Sequence, residues 1–337
     1  MKIISLILSL FVTIVCFGQD KIDNLVQIGV QYHDKGEYEK AIEVYVEALK
    51  IDPQSMLVHG ELAMTYLYSG ENEKAIEHCD IILAQHKDDL HAYITKGSAL
   101  SNLGKTAQSI QLFEETITKF GGDYLLYYNL GVTYSKIQDF DNAETAFIHA
   151  ITDNTNHASS HYSLAMIKAQ QNQRAESVLS LYYFLLLEHS SWRAELAYNL
   201  LREQLAGNVQ FDDDTMNIHV NLDSQRAYSE LSSAAEIILA TIEASNLYEE
   251  TKYKTPEELF VTNSTSFFIA LGEYGERYEQ SGFWWDCYVS FFYHLAKSAY
   301  MDVFCHYISV SSNEKAIEWL EANDKKLSAF KQWVTTN

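Results

Sequence analysis

The sequence predicts an all-α chain: an α-solenoid of about five stacked helix pairs followed by a C-terminal helical module. Three observations carry that expectation. Only two prolines, Pro53 and Pro256, and 14 scattered glycines punctuate 337 residues of which 47% are hydrophobic. That is too little punctuation for an all-β protein and ample apolar surface for a large core. A 34-residue period begins at Ile22 and holds without a gap through five units. Helical patterning then returns after a polar interruption.

The first 18 residues read separately. Lys2 supplies a positive start, Ile3 to Phe17 form an apolar run broken by Ser5, Ser9 and Thr13, and Cys16 and Gly18 place small residues before Gln19. This is the pattern of a secretory signal peptide cleaved after Gly18, and the run is short for a membrane span. The rival reading is lipoprotein-type processing with a lipid anchor at Cys16, which the bulky Val15 fits poorly. The expectation is an exported protein of a Gram-negative cell, periplasmic, outer-membrane associated or secreted, with no integral span in the mature chain.

The net charge of −22 argues against nucleic acid, whose phosphates need a basic face, and against anionic lipid. An acidic surface selects partners with basic patches. Beyond the leader three cysteines remain, Cys79, Cys287 and Cys305. On one continuous helix Cys287 and Cys305 would stand roughly 27 Å apart, so they could pair only if the helix breaks between them. The expectation is three small buried hydrophobes.

The period itself is read in columns. The eighth holds Gly29, Ala63, Gly97, Gly131 and Ala165, and the twentieth holds Ala41, Ala75, Ser109, Ala143 and Ser177. Small residues at both let two antiparallel helices approach closely. Large residues fill the flanking columns: the seventh (Ile28, Leu62, Lys96, Leu130, Leu164), the eleventh (Tyr32, Tyr66, Leu100, Tyr134, Lys168) and the twenty-fourth (Tyr45, Cys79, Phe113, Phe147, Leu181). Gly36, Gly70 and Gly104 fall where each first helix must stop and turn, and Pro53 falls where the first unit's second helix ends.

These columns resemble the tetratricopeptide repeat (TPR) family. Units start at Ile22, Met56, Leu90, Tyr124 and Ala158, and the first carries the whole pattern from Leu25 to Pro53. Later units weaken, with Lys96, Gln138, Lys168 and Phe184 departing from it. The resemblance covers residues 22–190, within an array expected over residues 19–190. It implies a right-handed superhelix whose first helices line a concave groove for a peptide or protein segment. The register places Met64, Tyr68, Ile94, Ser98, Asn102, Tyr128, Val132, Tyr162 and Met166 on that face. In a well-known subclass that grips a chaperone's terminal carboxylates the groove carries Lys, Arg and Asn. Here the positions are mostly aromatic, sulfur-containing or small, which excludes that ligand class. Tyr and Met suit adaptable, partly apolar contacts, while the competing reading is packing between neighbouring repeats.

Residues 191–225 read as a connecting segment, with an acidic turn at Phe211-Asp212-Asp213-Asp214 and alternation at Ile218, Val220 and Leu222 that allows a two-stranded edge. Residues 226–337 read as the helical module. Ala227 to Ser245 is one amphipathic helix, and Thr255-Pro256-Glu257-Glu258 starts another. Ser281 to Ser311 is rich in aromatics expected in the core, and Asn313 to Trp333 forms a final helix. Gly275, Tyr278, Gly282, Cys287 and Phe291 fall at TPR spacing, which points to degenerate helix pairs covering the array's end.

Motifs for chemistry are missing: no Gly-rich nucleotide loop, no GxSxG elbow and no HExxH. His157 and His161 are half a metal site without a third ligand at the required spacing. Asn263-Ser264-Thr265 and Asp214-Thr215-Met216 match short glycosylation motifs. The expectation is therefore a non-catalytic interaction scaffold of the cell envelope without cofactor or metal. Two alternatives remain open: glycan capture at the outer membrane through exposed Trp284 or Trp285, and an enzyme built around Asp286, His294 and His306.

Overall fold

The computed structural model describes residues 20–205, 209–212, 217–220, 229–246 and 253–336, with the strand residues described by backbone alone. The leader with Cys16, Asp214-Thr215-Met216, Leu222 and the expected helix start at Ala227 lie outside the described residues.

Helix α1 spans 20–34. It is followed by α2 (Tyr38–Ile51), α3 (Met56–Ser69), α4 (Asn72–Gln85), α5 (Leu90–Asn102), α6 (Thr106–Phe120), α7 (Tyr124–Lys136), α8 (Phe140–Asp153), α9 (Ala158–Gln170) and α10 (Arg174–Leu187). The first helices of successive pairs begin at Met56, Leu90, Tyr124 and Ala158, and the second helices at Tyr38, Asn72, Thr106, Phe140 and Arg174. Every step is 34 residues, so the sequence period is the period of the fold. Packing divides the described chain between Asp153 and Asn154 into two compact units.

In the first unit, each first helix packs on its own second helix and on the first helix of the next pair, α3 on α5 and α5 on α7. The small columns are the seam. Ala41, Ala75, Ser109 and Ala143 are fully buried, and so are the ring or thiol four residues on, Tyr45, Cys79, Phe113 and Phe147. A methyl at Gly131 would meet Phe147 at 2.7 Å, so only glycine lets that ring lie across the facing backbone. Where serine replaces alanine it satisfies itself: Ser109 donates to the carbonyl of Gly97 at 2.7 Å. The turn between paired helices is left-handed each time, at Gly36, Gly70, Gly104 and then Gln138, with φ of 74°, 84°, 73° and 60°. Lys96, which breaks the seventh column, bonds Asp80 at 2.5 Å instead of entering the core.

The second unit begins with α9 and α10. Its left-handed turn is taken by Asn172, φ 56°, and Ser177 donates to the carbonyl of Ala165 at 3.0 Å, one more copy of the seam. Helix α11 (Trp192–Leu205) starts 34 residues after α9, in register as a sixth first helix. Instead of a returning partner there follows an antiparallel hairpin, β1 (Val209–Asp212) and β2 (Asn217–Val220), pairing Val209 with Val220 and Asp212 with Asn217. Then come α12 (Glu230–Ser245) and α13 (Pro256–Arg277), a π-helical segment Trp284–Val289 running into α14 (Ser290–Lys297), and α15 (Met301–Ser309), α16 (Glu314–Ala322) and α17 (Asp324–Thr336). Thr255 and Glu258 form a complete capping box at the start of α13.

The central element of this unit is α10, whose residues from Ala175 to Tyr182 are all buried. A helix apolar all round must be covered all round. The Tyr182 ring sits among Phe260, Phe268, Phe292 and Phe304, and its hydroxyl bonds the Ser264 hydroxyl at 2.7 Å. Phe184, which departs from the repeat pattern, is buried against Tyr162 at 4.9 Å with the Arg193 guanidinium 5.5 Å over its ring. Two polar links join α10 to α12: Arg174 to Glu236 at 2.9 Å, and Glu176, which accepts from Ser229 at 2.8 Å and Ser232 at 2.7 Å.

Two expectations are corrected. The final helix is two helices, because the backbone leaves helical geometry at Asn323 (ψ 31°) between α16 and α17. The tight contact of the C-terminal pair is Gly272 under Tyr293, not Gly275 opposite Phe291, because the chain makes its left-handed turn at Glu279 (φ 51°). Gly275 instead lies under Trp285.

Candidate functional site

The nine groove positions divide between the units. Seven lie in the first: Met64, Tyr68, Ile94, Ser98, Asn102, Tyr128 and Val132. Of these, Tyr68 and Met64 are the most open hydrophobics, 62% and 42% exposed, one helical turn apart on α3. Gly36 turns the chain so that Tyr38 returns beside His33, and Gly70 ends α3 just past Tyr68. The three rings meet: His33 lies edge-on to Tyr38 at 5.4 Å and to Tyr68 at 5.2 Å, and Tyr38 stacks on Tyr68 at 6.2 Å. Thr65 holds the cluster through its hydroxyl, 2.9 Å from His33 Nδ1. Below it the buried Tyr45 hydroxyl donates to Glu61 at 3.3 Å. Burial raises that phenol's pKa first, and the charges of Glu61 and Asp34 add to the shift.

The remaining positions are more enclosed. Ile94 packs against the core around Phe113 and Leu126. Ser98 donates to Asn129 Oδ1 at 3.1 Å. Asn102 donates to Asn72 Oδ1 at 3.3 Å and accepts from Lys136 at 2.8 Å, a polar seam spanning three repeats. Burial lowers the Lys136 pKa. Tyr128, tilted over Phe147 at 6.0 Å, and Val132 are half-buried. In the second unit Tyr162 lies against Phe184 at 4.9 Å with the Arg193 guanidinium 5.6 Å over its ring, and Met166 is half-buried. His33, Tyr38 and Asp34 are not among the groove positions expected from the register, although Tyr38 belongs to the first unit's repeat pattern. Their signal was Gly36, which folds Tyr38 back onto the end of α1.

The two histidines four apart are occupied elsewhere. His161 is fully buried, stacked 4.4 Å from Tyr183, with Nδ1 on the Tyr288 hydroxyl at 2.8 Å and Nε2 on the Thr155 carbonyl at 2.9 Å. His157 bonds Ser160 at 2.7 Å. Among the described residues no group of three or more His, Cys, Asp or Glu side chains could hold a metal ion. Cys79, Cys287 and Cys305 are free thiols, Cys287 half-buried and the others buried, even though the helix does break between Cys287 and Cys305 at Ser298. The residues considered for catalysis are engaged separately. Asp286 accepts from the Gly282 amide at 3.0 Å, His294 Nδ1 bonds the Ser290 carbonyl at 2.8 Å, and His306 stacks on Trp319 at 4.0 Å. A cavity of about 710 Å³ is lined by His306, Trp319, Glu257 and Lys315 but by neither Asp286 nor His294. Trp285 is buried, and the half-buried Trp284 has Tyr288 stacked at 5.4 Å and the Lys168 ammonium 5.6 Å from its ring centre. No helix among the described residues is long and apolar enough to cross a membrane.

Residues 29–70 match the family model described as TPR repeat, and residues 90–118 and 124–152 match the one described as tetratricopeptide repeat. The chain is a tetratricopeptide-repeat protein. Among its relatives, the BBSome complex member BBS4 of Xenopus tropicalis is 29% identical over 110 residues, 33% of this TPR chain and 21% of that protein. A probable UDP-N-acetylglucosamine–peptide N-acetylglucosaminyltransferase, SPINDLY, of Hordeum vulgare is 26% identical over 147 residues, 42% of this chain and 16% of its own. The chain thus spans about a fifth or less of these relatives' length. Among solved structures, a thermophilic TPR protein of Thermus thermophilus matches 55% of this chain and 98% of its own, with 19% identity and a TM-score of 0.49. The type IV pilus biogenesis factor PilW matches 55% of this chain and 90% of its own, with 21% identity and a TM-score of 0.44. TPR folds are generally non-catalytic scaffolds that bind protein partners.

Proposed function

We propose that this TPR protein is a non-catalytic scaffold of the cell envelope that holds a peptide or protein segment on the face formed by α1, α2 and α3. The carrying observation is the exposure of Tyr68 and Met64. Most large apolar side chains of these helices are packed away, yet two adaptable residues of the kind enriched at interfaces stand open one turn apart. The proposed route to the envelope is the Lys2-to-Gly18 leader, and the mature chain would begin at Gln19.

The test is selection of phage-displayed peptides on the full chain, followed by titration of the winners against a Met64→Ala/Tyr68→Ala variant. Peptides that bind the wild type and lose at least tenfold in affinity with the variant support the reading. Winners whose affinity ignores both substitutions would move the site elsewhere. N-terminal sequencing of the exported protein checks the leader, and a mature start other than Gln19 refutes cleavage after Gly18.

A further inference from the structure

We infer that the ring cluster of His33, Tyr38 and Tyr68 is a receptor for a cationic side chain, an arginine above all, carried by the segment that docks on α1 to α3. This deepens the scaffold reading and rests on it.

The argument starts from what surrounds the rings. Residues 20–153 contain 22 Asp and Glu against 10 Lys and no Arg. Asp34 follows His33 directly on α1, and Glu61 lies one turn before Thr65 on α3, where it accepts from the Tyr45 hydroxyl at 3.3 Å. Burial raises the Tyr45 phenol's pKa first, and the negative charges of Glu61 and Asp34 raise it further. Aromatic faces attract cations through their quadrupole, and a planar guanidinium can stack on one ring while its N–H fork reaches a carboxylate. Arg therefore fits this surface better than Lys.

The protein already uses the same chemistry internally. Lys40 lies over Tyr32 at 5.5 Å while bonding Glu37, and Lys74 lies over Tyr66 at 5.0 Å while bonding Glu71. These are the same columns one repeat apart, each a lysine shared between a tyrosine face and a carboxylate. Tyr68 offers an aromatic face outward, and its 62% exposure leaves room for the cation to come from a partner. The charge complementarity selects a basic occupant: an acidic segment would meet Asp34 and Glu61 as like charges. An anionic peptide tail, the ligand of carboxylate-gripping repeats, is the opposite chemistry.

Hexa-arginine amide, hexa-citrulline amide and hexa-glutamate are titrated into the full chain by calorimetry, with backbone resonances followed in parallel. Citrulline keeps the shape of arginine and removes its charge. Hexa-arginine is expected to bind, to shift Thr65 and Tyr68, and to weaken as salt rises. Tyr68→Ala should cost about 5- to 30-fold in affinity, from the usual strength of a cation–π contact, while Tyr68→Phe keeps the affinity within about twofold. Because Tyr68 is exposed, both variants should melt with the wild type, so a loss of binding is not a loss of fold. Unchanged affinity in Tyr68→Ala, shifts confined to helices other than α1 to α3, or citrulline binding as tightly as arginine each overturns the inference. A silent hexa-arginine titration alongside firm binding of a selected neutral peptide overturns the cation receptor alone. A chain that binds no peptide of any charge overturns the scaffold reading beneath it.

Discussion

His161 lies three 34-residue steps after His59, and each directs Nε2 to the carbonyl oxygen six residues before it, Thr155 at 2.9 Å and Pro53 at 3.2 Å. The other ring nitrogen meets a different partner in each unit: the Tyr288 hydroxyl for His161, and the Nδ1 of His78 at 2.7 Å for His59. Burial sets the titration of His161 and His78. His161 is pushed down to about 4 by burial, helped by His157 and opposed by the Thr155 carbonyl, and His78 falls to about 4 by burial and by the facing His59. Between that value and the usual 6.5 the unfolded chain binds protons the folded chain refuses. Stability is thus fully present above pH 6.5 and is lost as pH falls toward 4, by about 1.4 kcal/mol per pH unit for the buried His161 and less for the partly exposed, screened His78. Urea unfolding at pH 7.5 and 5.0 should show the drop, and His161→Asn should flatten it. A slope identical in wild type and variant would contradict this account.

The turn at Gln138 keeps the left-handed backbone that glycine supplies at Gly104 one repeat earlier, φ 60° against 73°. A side chain with a Cβ is strained there, so Gln138→Gly should stabilise the chain by about 0.5–1 kcal/mol after the entropy of the unfolded glycine is subtracted. Denaturant midpoints would measure it, and destabilisation would refute it.

Two glycines should respond to alanine with opposite signs. A methyl at Gly97 would lie 2.3 Å from the fully buried Phe113 ring, so Gly97→Ala should destabilise by about 1–3 kcal/mol. A methyl at Gly60, inside α3, meets nothing within 4 Å, so Gly60→Ala should stabilise by about 0.5–1 kcal/mol through helix propensity. Thermal melts of the two variants on opposite sides of the wild type are the expected result.

In the second unit Glu236→Ala would leave the buried Arg174 without its counter-charge. The expected loss is about 3–5 kcal/mol, whereas replacing both by apolar residues, Arg174→Met with Glu236→Leu, should cost far less. A double-mutant cycle in urea decides this. Equal losses for the single and double variants would place the stabilisation elsewhere.

The repeats were legible because their physics is local and periodic. Column eight is small for one reason at Gly29, Gly97 and Gly131, the ring crossing behind it, and a 34-step comparison exposes that reason. The C-terminal pair was harder because its markers mislead. Gly282 has φ 103°, yet the turn that sets the register is taken by Glu279, a residue type that does not announce it. The sixth first helix, α11, escaped notice because Asn199 and Arg202 stand at the small and apolar columns. Among the described residues the segment that follows directly is the β1–β2 hairpin, and the Arg202 guanidinium lies 5.0 Å over the Phe260 ring. At the candidate site Tyr68 and Met64 could be placed from register alone. His33 and Tyr38 could not, since their meeting depends on how Gly36 reverses the chain rather than on any column.

The three thiols carry a practical consequence. Burial pushes Cys79 and Cys287 up to about 12 and Cys305 higher still, so at neutral pH scarcely any is in the nucleophilic form. With Cys79 in the first unit and the other two in the second, alkylation by iodoacetamide becomes a clock for opening. The order in which single-cysteine variants are labelled in dilute urea will read out which half of the molecule loosens first.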